Sequence, residues 1–235
     1  MAAMRETIHW SELAAARGDF EVHAPFQLSS DGRFLHGQGL RVELPPVWLG
    51  KASTPPEEET ARERAARLAR ERGGPDTSDQ LERYLQGMPT ELPSQCVILC
   101  QAGATALGYF HAGEALATKS FKRYVVRGKG KAQPAHLRSK GKSRYGSRLR
   151  LQNAKGQLAE TNERLQRMWD KFGPPQDVFV SAPKRLWADL LRADPLPPDF
   201  EASSRLHRIR RDVRVPTTEE TQRIYRSLQF AVIER

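Results

Sequence analysis

The chain has 235 residues and a mass of 26.6 kDa, enough for one large domain or two small ones. Its 38 Lys and Arg outnumber 28 Asp and Glu, a net charge of +10 that favours an anionic partner, nucleic acid above all. No apolar run approaches the length of a transmembrane helix, and the start, MAAMRETIHW, lacks the apolar core of a secretory signal. Two cysteines, Cys96 and Cys100, exclude a disulfide-stapled scaffold and a four-ligand zinc finger, so a cytoplasmic monomer without metal or cofactor is expected.

Residues 1–52 are short apolar pieces broken by turns. WSEL predicts a short helix capped by Ser11, SSDGRFLHGQG a hairpin loop, and Leu40, Val42 and Leu44 a strand ended by Pro45 and Pro46. Residues 53–93 form a charged helical insertion. Glu58–Arg62 and Glu63–Arg67 are favourable i,i+4 pairs over a thin stripe of Ala61, Ala65 and Leu68. DQLERYLQGMP predicts a further helix with Leu81, Tyr84 and Leu85 inward.

Residues 94–235 are more regular. CVILCQ reads as a core strand, ALGYF as a second and ALATKSFKRYVVRG as a third, joined by tight turns into a meander. A long helix follows, with Leu151, Ala154, Leu158, Thr161, Leu165, Met168 and Phe172 on one stripe, stopped at Gly173-Pro174-Pro175. DVFVS predicts a buried strand. Pro183 opens a helix with Leu186, Trp187 and Leu190 inward. RLHRIRRDVRV is extended, Thr217 and Glu220 form a capping box before a helix carrying Ile224 and Leu228, and QFAVI is a final strand. The fold class is therefore α/β, a mixed sheet covered by helices.

The densest charge lies in residues 119–155, where 13 Lys or Arg occur with no Asp or Glu. Glycines at 128, 130, 141 and 146 weaken regular structure there, which predicts a mobile basic loop between strand and helix that tracks phosphates. Arg127, Lys129, Lys131, Arg138, Lys140, Lys142, Arg144 and Arg148 are its candidate phosphate contacts. His136 is a further contact, and Tyr145 a base-stacking residue, whereas Tyr124 is expected to pack on the sheet. Inside the loop, Gly130 and Gln133 stand three apart, followed by Pro134. A glutamine has no useful pKa, but its amide accepts from and donates to water and so positions a nucleophile. A glycine allows close backbone approach to a reaction centre. Cys96 and Cys100, about 13 Å apart along a strand, read as core thiols rather than a disulfide. Asp170, Asp177 and Asp194 have no metal spacing.

The stretch KSFKRYVVRGKGKAQPAHLRSKGKSRYGSRLRLQNA, with VFVSAP and the later RLHRIRRDVRVPTTEETQRIYRSL, resembles the release-factor-like peptidyl-tRNA hydrolase domain of ribosome-associated quality control. The resemblance spans roughly residues 95–235 and looks like a bacterial member, since neither a zinc finger nor ankyrin repeats accompany it. It implies a fold like the middle domain of eukaryotic and archaeal release factors. It also implies a G-x-x-Q loop, here Gly130-Lys131-Ala132-Gln133, that enters the peptidyl-transferase centre with Gly130 and Gln133 as catalytic residues. The implied partners are the large ribosomal subunit, ribosomal RNA and peptidyl-tRNA. Two alternatives stay open beside ester hydrolysis: cleavage of the tRNA near its CCA end, and a catalytically silent RNA-binding factor.

Overall fold

A computed structural model describes residues 5–29, 32–48, 80–125, 142–200 and 205–235. The chain divides into two compact units, Met1–Thr90 with Arg226–Arg235, and Glu91–Tyr225.

The first unit is built on a five-stranded antiparallel sheet in the order β1-β10-β4-β3-β2. Its strands are β1 (Arg5–His9), β2 (Gln27–Leu28), β3 (Phe34–Gly37), β4 (Leu40–Glu43) and β10 (Phe230–Glu234). Pairing of Leu35 with Val42, and Val42 with Ile233, puts their side chains on one face. That face is covered by Phe20 of α1 (Arg17–Glu21) and by Leu81 and Tyr84 of α2 (Gln80–Gln86). The inward residues of α2 follow the sequence pattern, with Leu81 and Tyr84 buried and Leu85 packed against the cluster.

Three expectations change here. WSEL is a single 3-10 turn, Trp10–Glu12, whose cap is His9; Ser11 instead bonds the His9 ring at 2.8 Å. Part of the expected hairpin loop is strand, because Phe34–Gly37 pairs along β4, and the turn of that hairpin is Gln38–Gly39, where Gly39 has a φ of 70°. The final strand, expected to complete the sheet of residues 94–235, pairs instead with β1 and β4. QFAVI is apolar on both of its faces, so its sequence named no partner. The helical pairs expected at residues 58–67 lie outside the described residues.

The second unit is a five-stranded mixed sheet in the order β7-β6-β5-β8-β9. β5 (Gln95–Gln101), β6 (Ala104–His111) and β7 (Glu114–Lys122) form the expected meander. β8 (Asp177–Ser181) and β9 (Arg205–Arg208) then add parallel to β5. Parallel neighbours need long crossovers, and helices α3 (Lys142–Phe172) and α4 (Lys184–Leu190) supply them. Their Leu165, Met168, Trp187 and Leu190 pack on Cys96, Ile98, Leu107, Tyr109, Val178 and Val180. Complete burial of an aliphatic side chain such as Ile98 contributes about 2 kcal/mol. Both thiols are buried core groups, and burial pushes them above their ordinary value, so they carry no nucleophilic chemistry.

The opposite face of this sheet meets α5 (Thr218–Leu228), where Tyr225 stacks on Phe110 at 3.7 Å and donates to Gln95 at 2.9 Å. The cap of α5 is half of the expected box. Glu220 N–H donates to Thr217 Oγ1 at 3.1 Å, but the Glu220 carboxylate accepts from the Arg214 N–H at 2.8 Å.

The mixed α/β class stands, with two sheets in place of one. The stripe on α3 holds from Leu158 to Phe172 but fails at Leu151, which is 61% exposed. The reason is length. A helix of 31 residues runs about 46 Å, whereas a strand of 7 residues such as β5 runs about 23 Å, so the first turns of α3 pass beyond the sheet. Among the described residues no helix is long and apolar enough to cross a membrane.

Candidate nucleic-acid interface

Gly130 and Gln133, together with Arg127, Lys129, Lys131, His136, Arg138 and Lys140, lie outside the described residues. The structure describes how the chain leaves for this stretch, after β7, and how it returns, in α3. Lys142, Arg144, Tyr145 and Arg148 were expected in the loop but belong to the first turns of α3. The glycines that argued against regular structure include Gly146, which the helix accommodates at a cost of about 1 kcal/mol. Arg148 is exposed there, beside exposed Leu149 and Leu151.

The two flanks are tied to each other and to the sheet. At the exit of β7, the Arg123 N–H donates to Gly103 C=O at 2.9 Å, which anchors it to the β5–β6 turn. Asn153 of α3 donates its amide to Tyr124 C=O at 2.8 Å. Arg123 reaches Glu160 through Nε and Nη2 at 3.0 and 2.8 Å, and Arg164 binds the other oxygen of the same carboxylate at 3.1 Å through Nε. Burial opposes ionisation of Glu160, but the bonds from Arg164 and Arg123 outweigh it and hold the carboxyl below its ordinary value. Arg164 also lies over the Phe121 ring of β7, 4.9 Å from its centroid. At this crossing a Cβ on Gly156 would meet Arg123 Nη1 at 2.6 Å, so the guanidinium would have to shift.

Below this pair sits Gln157, which is 1% exposed. Its Oε1 accepts from the Gly103 N–H at 2.9 Å. Its Nε2 donates to Gln101 C=O at 2.8 Å and Thr105 Oγ1 at 2.9 Å. One helix residue thus satisfies both sides of the β5–β6 turn that also receives Arg123. The stripe pattern places Thr161 on the inward face, but nothing in the sequence marked Gln157, because a lone polar residue beside an apolar stripe reads as surface. The groove over Arg123 and Arg164, about 330 Å³, is lined by Glu160 and Glu163 as well, so its cations are already matched.

Tyr124 does not pack on the sheet as expected. It follows the end of β7, is 52% exposed, and carries only a backbone tie to Asn153. Lys119, Lys122 and Lys155 are exposed too. At the other end of the strands, buried Asp177 binds Arg205 at 2.9 Å and the His207 ring at 2.8 Å, and His207 stacks on Phe179. The sequence reading dismissed Asp177 as a metal ligand without finding this cluster. Its partners come from β9, 28 and 30 residues later. Among the described residues no group of three or more His, Cys, Asp or Glu could hold a metal. What they form is an anchored exit and return for a basic segment, bordered by unpaired cations.

The family described as bVLRF1, Bacteroidetes VLRF1 release factor, matches residues 95–235, the span of the resemblance drawn from the motifs. No curated protein matches. Among solved structures, one described as "Vms1 mitochondrial localization core" aligns over 95% of this chain and 84% of its own length. Its identity is 10% and its TM-score 0.44, a likeness too distant to transfer any property. With the family matching well over half of the chain and enclosing the whole mixed sheet, its two crossovers and the G-x-x-Q segment, this chain belongs to the Bacteroidetes VLRF1 release factor family.

Proposed function

We propose that the chain is a ribosome-associated peptidyl-tRNA hydrolase that frees stalled nascent chains from the large ribosomal subunit. The observation that carries the reading is Gly130-Lys131-Ala132-Gln133 inside the matched family span, between a strand and a helix whose ends are tied together through Arg123, Asn153, Gln157 and Glu160. A segment departing from so anchored a base can carry a reactive group to a distant centre with a defined origin, which lowers the entropic cost of placing it.

The substrate is the ester between a nascent chain and the tRNA ribose. Gln133 accepts a hydrogen bond from water with its amide oxygen and holds that water against the carbonyl carbon. The backbone near Gly130 approaches closely and offers N–H groups to the developing oxyanion. Placement rather than a shifted side-chain pKa supplies the rate. Arg127, Lys129, Lys131, Arg138, Lys140, Lys142, Arg144 and Arg148 contact ribosomal RNA and tRNA phosphates, with His136 and Tyr145 beside them. Their contribution is register and affinity.

The test is single-turnover release on purified stalled large subunits at saturating protein. Gln133→Ala should bind normally and release on the order of 10²-fold more slowly. Gln133→Glu should be as poor, because it replaces the amide donors with a negative charge beside phosphate. Wild-type release by Gln133→Ala would sink the catalytic assignment and leave an RNA-binding factor. A shortened tRNA, with the peptide still carrying CCA, would replace ester hydrolysis by nuclease action.

A further inference from the structure

A second row of cations leaves β9, the edge strand opposite to β7, at the end of the mixed sheet where β7 also finishes. From Arg205 to Arg214 burial alternates without a break. Leu206, Arg208, Arg210, Asp212 and Arg214 are exposed, while Arg205, His207, Ile209, Arg211 and Val213 are partly buried. Such alternation is that of an extended chain, with outward side chains about 6.6 Å apart. The inward members fasten it. Arg205 and His207 hold buried Asp177. The Ile209 N–H donates to Val180 C=O at 2.9 Å, at the end of β8. The backbone carbonyls of Val213 and Arg214 accept from Gln101 Nε2 at 3.3 and 3.0 Å, at the end of β5.

That last contact sets the location. The Gln101 C=O is bonded by Gln157, two residues before the Gly103 that anchors Arg123. The row therefore runs from the end of β8 to the end of β5 and arrives beside the exit of β7. Outward Arg208 makes one bond, to Ala182 C=O, and neither it nor Arg210 forms an ion pair with a described residue. Arg214 lies near Glu220, which is itself held by Arg223 at 2.6 Å. Asp212 is the one acid among the outward positions.

Resting on the reading above, we infer that Arg208, Arg210 and Arg214 form a second contact line for an RNA phosphate backbone, arriving at the ends of β5 and β7. Guanidiniums at 208, 210 and 214, all on the outward side of one extended segment, fit an extended polyanion rather than one small ligand. Its fixed backbone means that little order has to be gained on binding. The row reads charge and register, not base sequence.

The experiment measures binding of the full chain to purified large ribosomal subunits, and to a stem-loop RNA, across a salt titration. Each phosphate contact contributes about 0.7–0.9 to the log–log slope, so Arg208→Gln/Arg210→Gln/Arg214→Gln should lower its magnitude by about 2. Arg210→Gln alone should lower it by about 0.7 and removes no internal bond that a folding defect would require. The control neutralises Arg5, Arg41 and Arg235, exposed residues of the first unit paired with Glu234 and Glu6, and should leave the slope unchanged. A third variant neutralises Arg138, Lys140, Lys142 and Arg144. If that variant loses slope and the Arg208 set does not, the inference falls and the proposed function stands. An equal loss in the control would reduce the effect to net charge and also overturn the inference. If the wild-type chain shows no salt-dependent RNA binding, the proposed function fails first. Competition by polyglutamate that depends on Arg208, Arg210 and Arg214 when RNA binding does not would assign the row to an acidic protein and reject it as an RNA site.

Discussion

The two halves of α3 share one helix and one period but have opposite surroundings. From Gln157 to Phe172 the helix rests on the mixed sheet, with Leu165 at 0% exposure, Met168 at 6%, Gln157 and Thr161 bonded to residues of β5 and β6, and the Asn162 amide donating to Leu190 and Pro195 C=O. Before Gln157 the stripe continues in sequence, yet Leu151 is 61% and Leu149 37% exposed, among Arg148, Arg150 and Lys155. The lesson is that periodicity specifies a face, not what lies beneath it. The inner half fastens the helix, and the outer half presents a basic, partly apolar surface beyond the sheet edge.

The largest contrast should appear in stability. Leu165→Ala removes a core side chain and should cost about 2–5 kcal/mol, whereas Leu151→Ala at the equivalent stripe position should stay within about 0.5 kcal/mol. Urea midpoints of the two variants measure this directly, and equal losses would show that the outer half is also packed. Next comes the polar base of the inner half. Gln157→Ala leaves the Gly103 N–H and Gln101 C=O without their partner and should cost about 2 kcal/mol. Hydrogen exchange at the Arg123 amide should quicken in the same variant, since the turn that accepts it loosens.

Asn153→Ala sharpens the comparison at the boundary between the halves. It deletes a single tie to Tyr124 C=O and should cost about 1 kcal/mol or less. Its release rate on stalled subunits should fall by more than its stability suggests, because it loosens the base from which the basic segment departs. The smallest effect is in pH. Glu160 has its folded pKa held below the ordinary value of 4.5, so its contribution is fully present above that value. It is lost as pH falls through the lower folded value. The stability difference between wild type and Glu160→Gln should therefore be constant near neutrality and shrink on acidification below the ordinary carboxylate range. A difference that grows on acidification would reverse the assigned direction.

Much of the second unit is written in local pattern. The meander, the crossover helices, the strand DVFVS and the stop after Phe172 follow from runs of apolar residues, turn glycines and prolines whose effects act within a few residues. The G-x-x-Q segment was found the same way, through a motif in a short stretch of chain. Residues with long-range partners were missed. Gln157 looks like a surface residue until Gly103, Gln101 and Thr105 surround it, and Asp177 looks idle until β9 brings Arg205 and His207.

By itself the sequence determined the order of strands and helices from residue 95 onward, the basic character of the segment after β7, and the motif within it. These depend on side-chain period, backbone freedom and charge, all properties of neighbouring residues. Only the tertiary structure decided that QFAVI joins the first sheet, that the first turns of α3 overhang, and that Arg208–Arg214 arrives beside the exit of β7. Those outcomes depend on which distant segments pair and on how long a helix is beside the strands it crosses. No local pattern encodes a partner 100 or more residues away, because hydrogen bonding and apolar burial are satisfied equally well by any surface of the right shape.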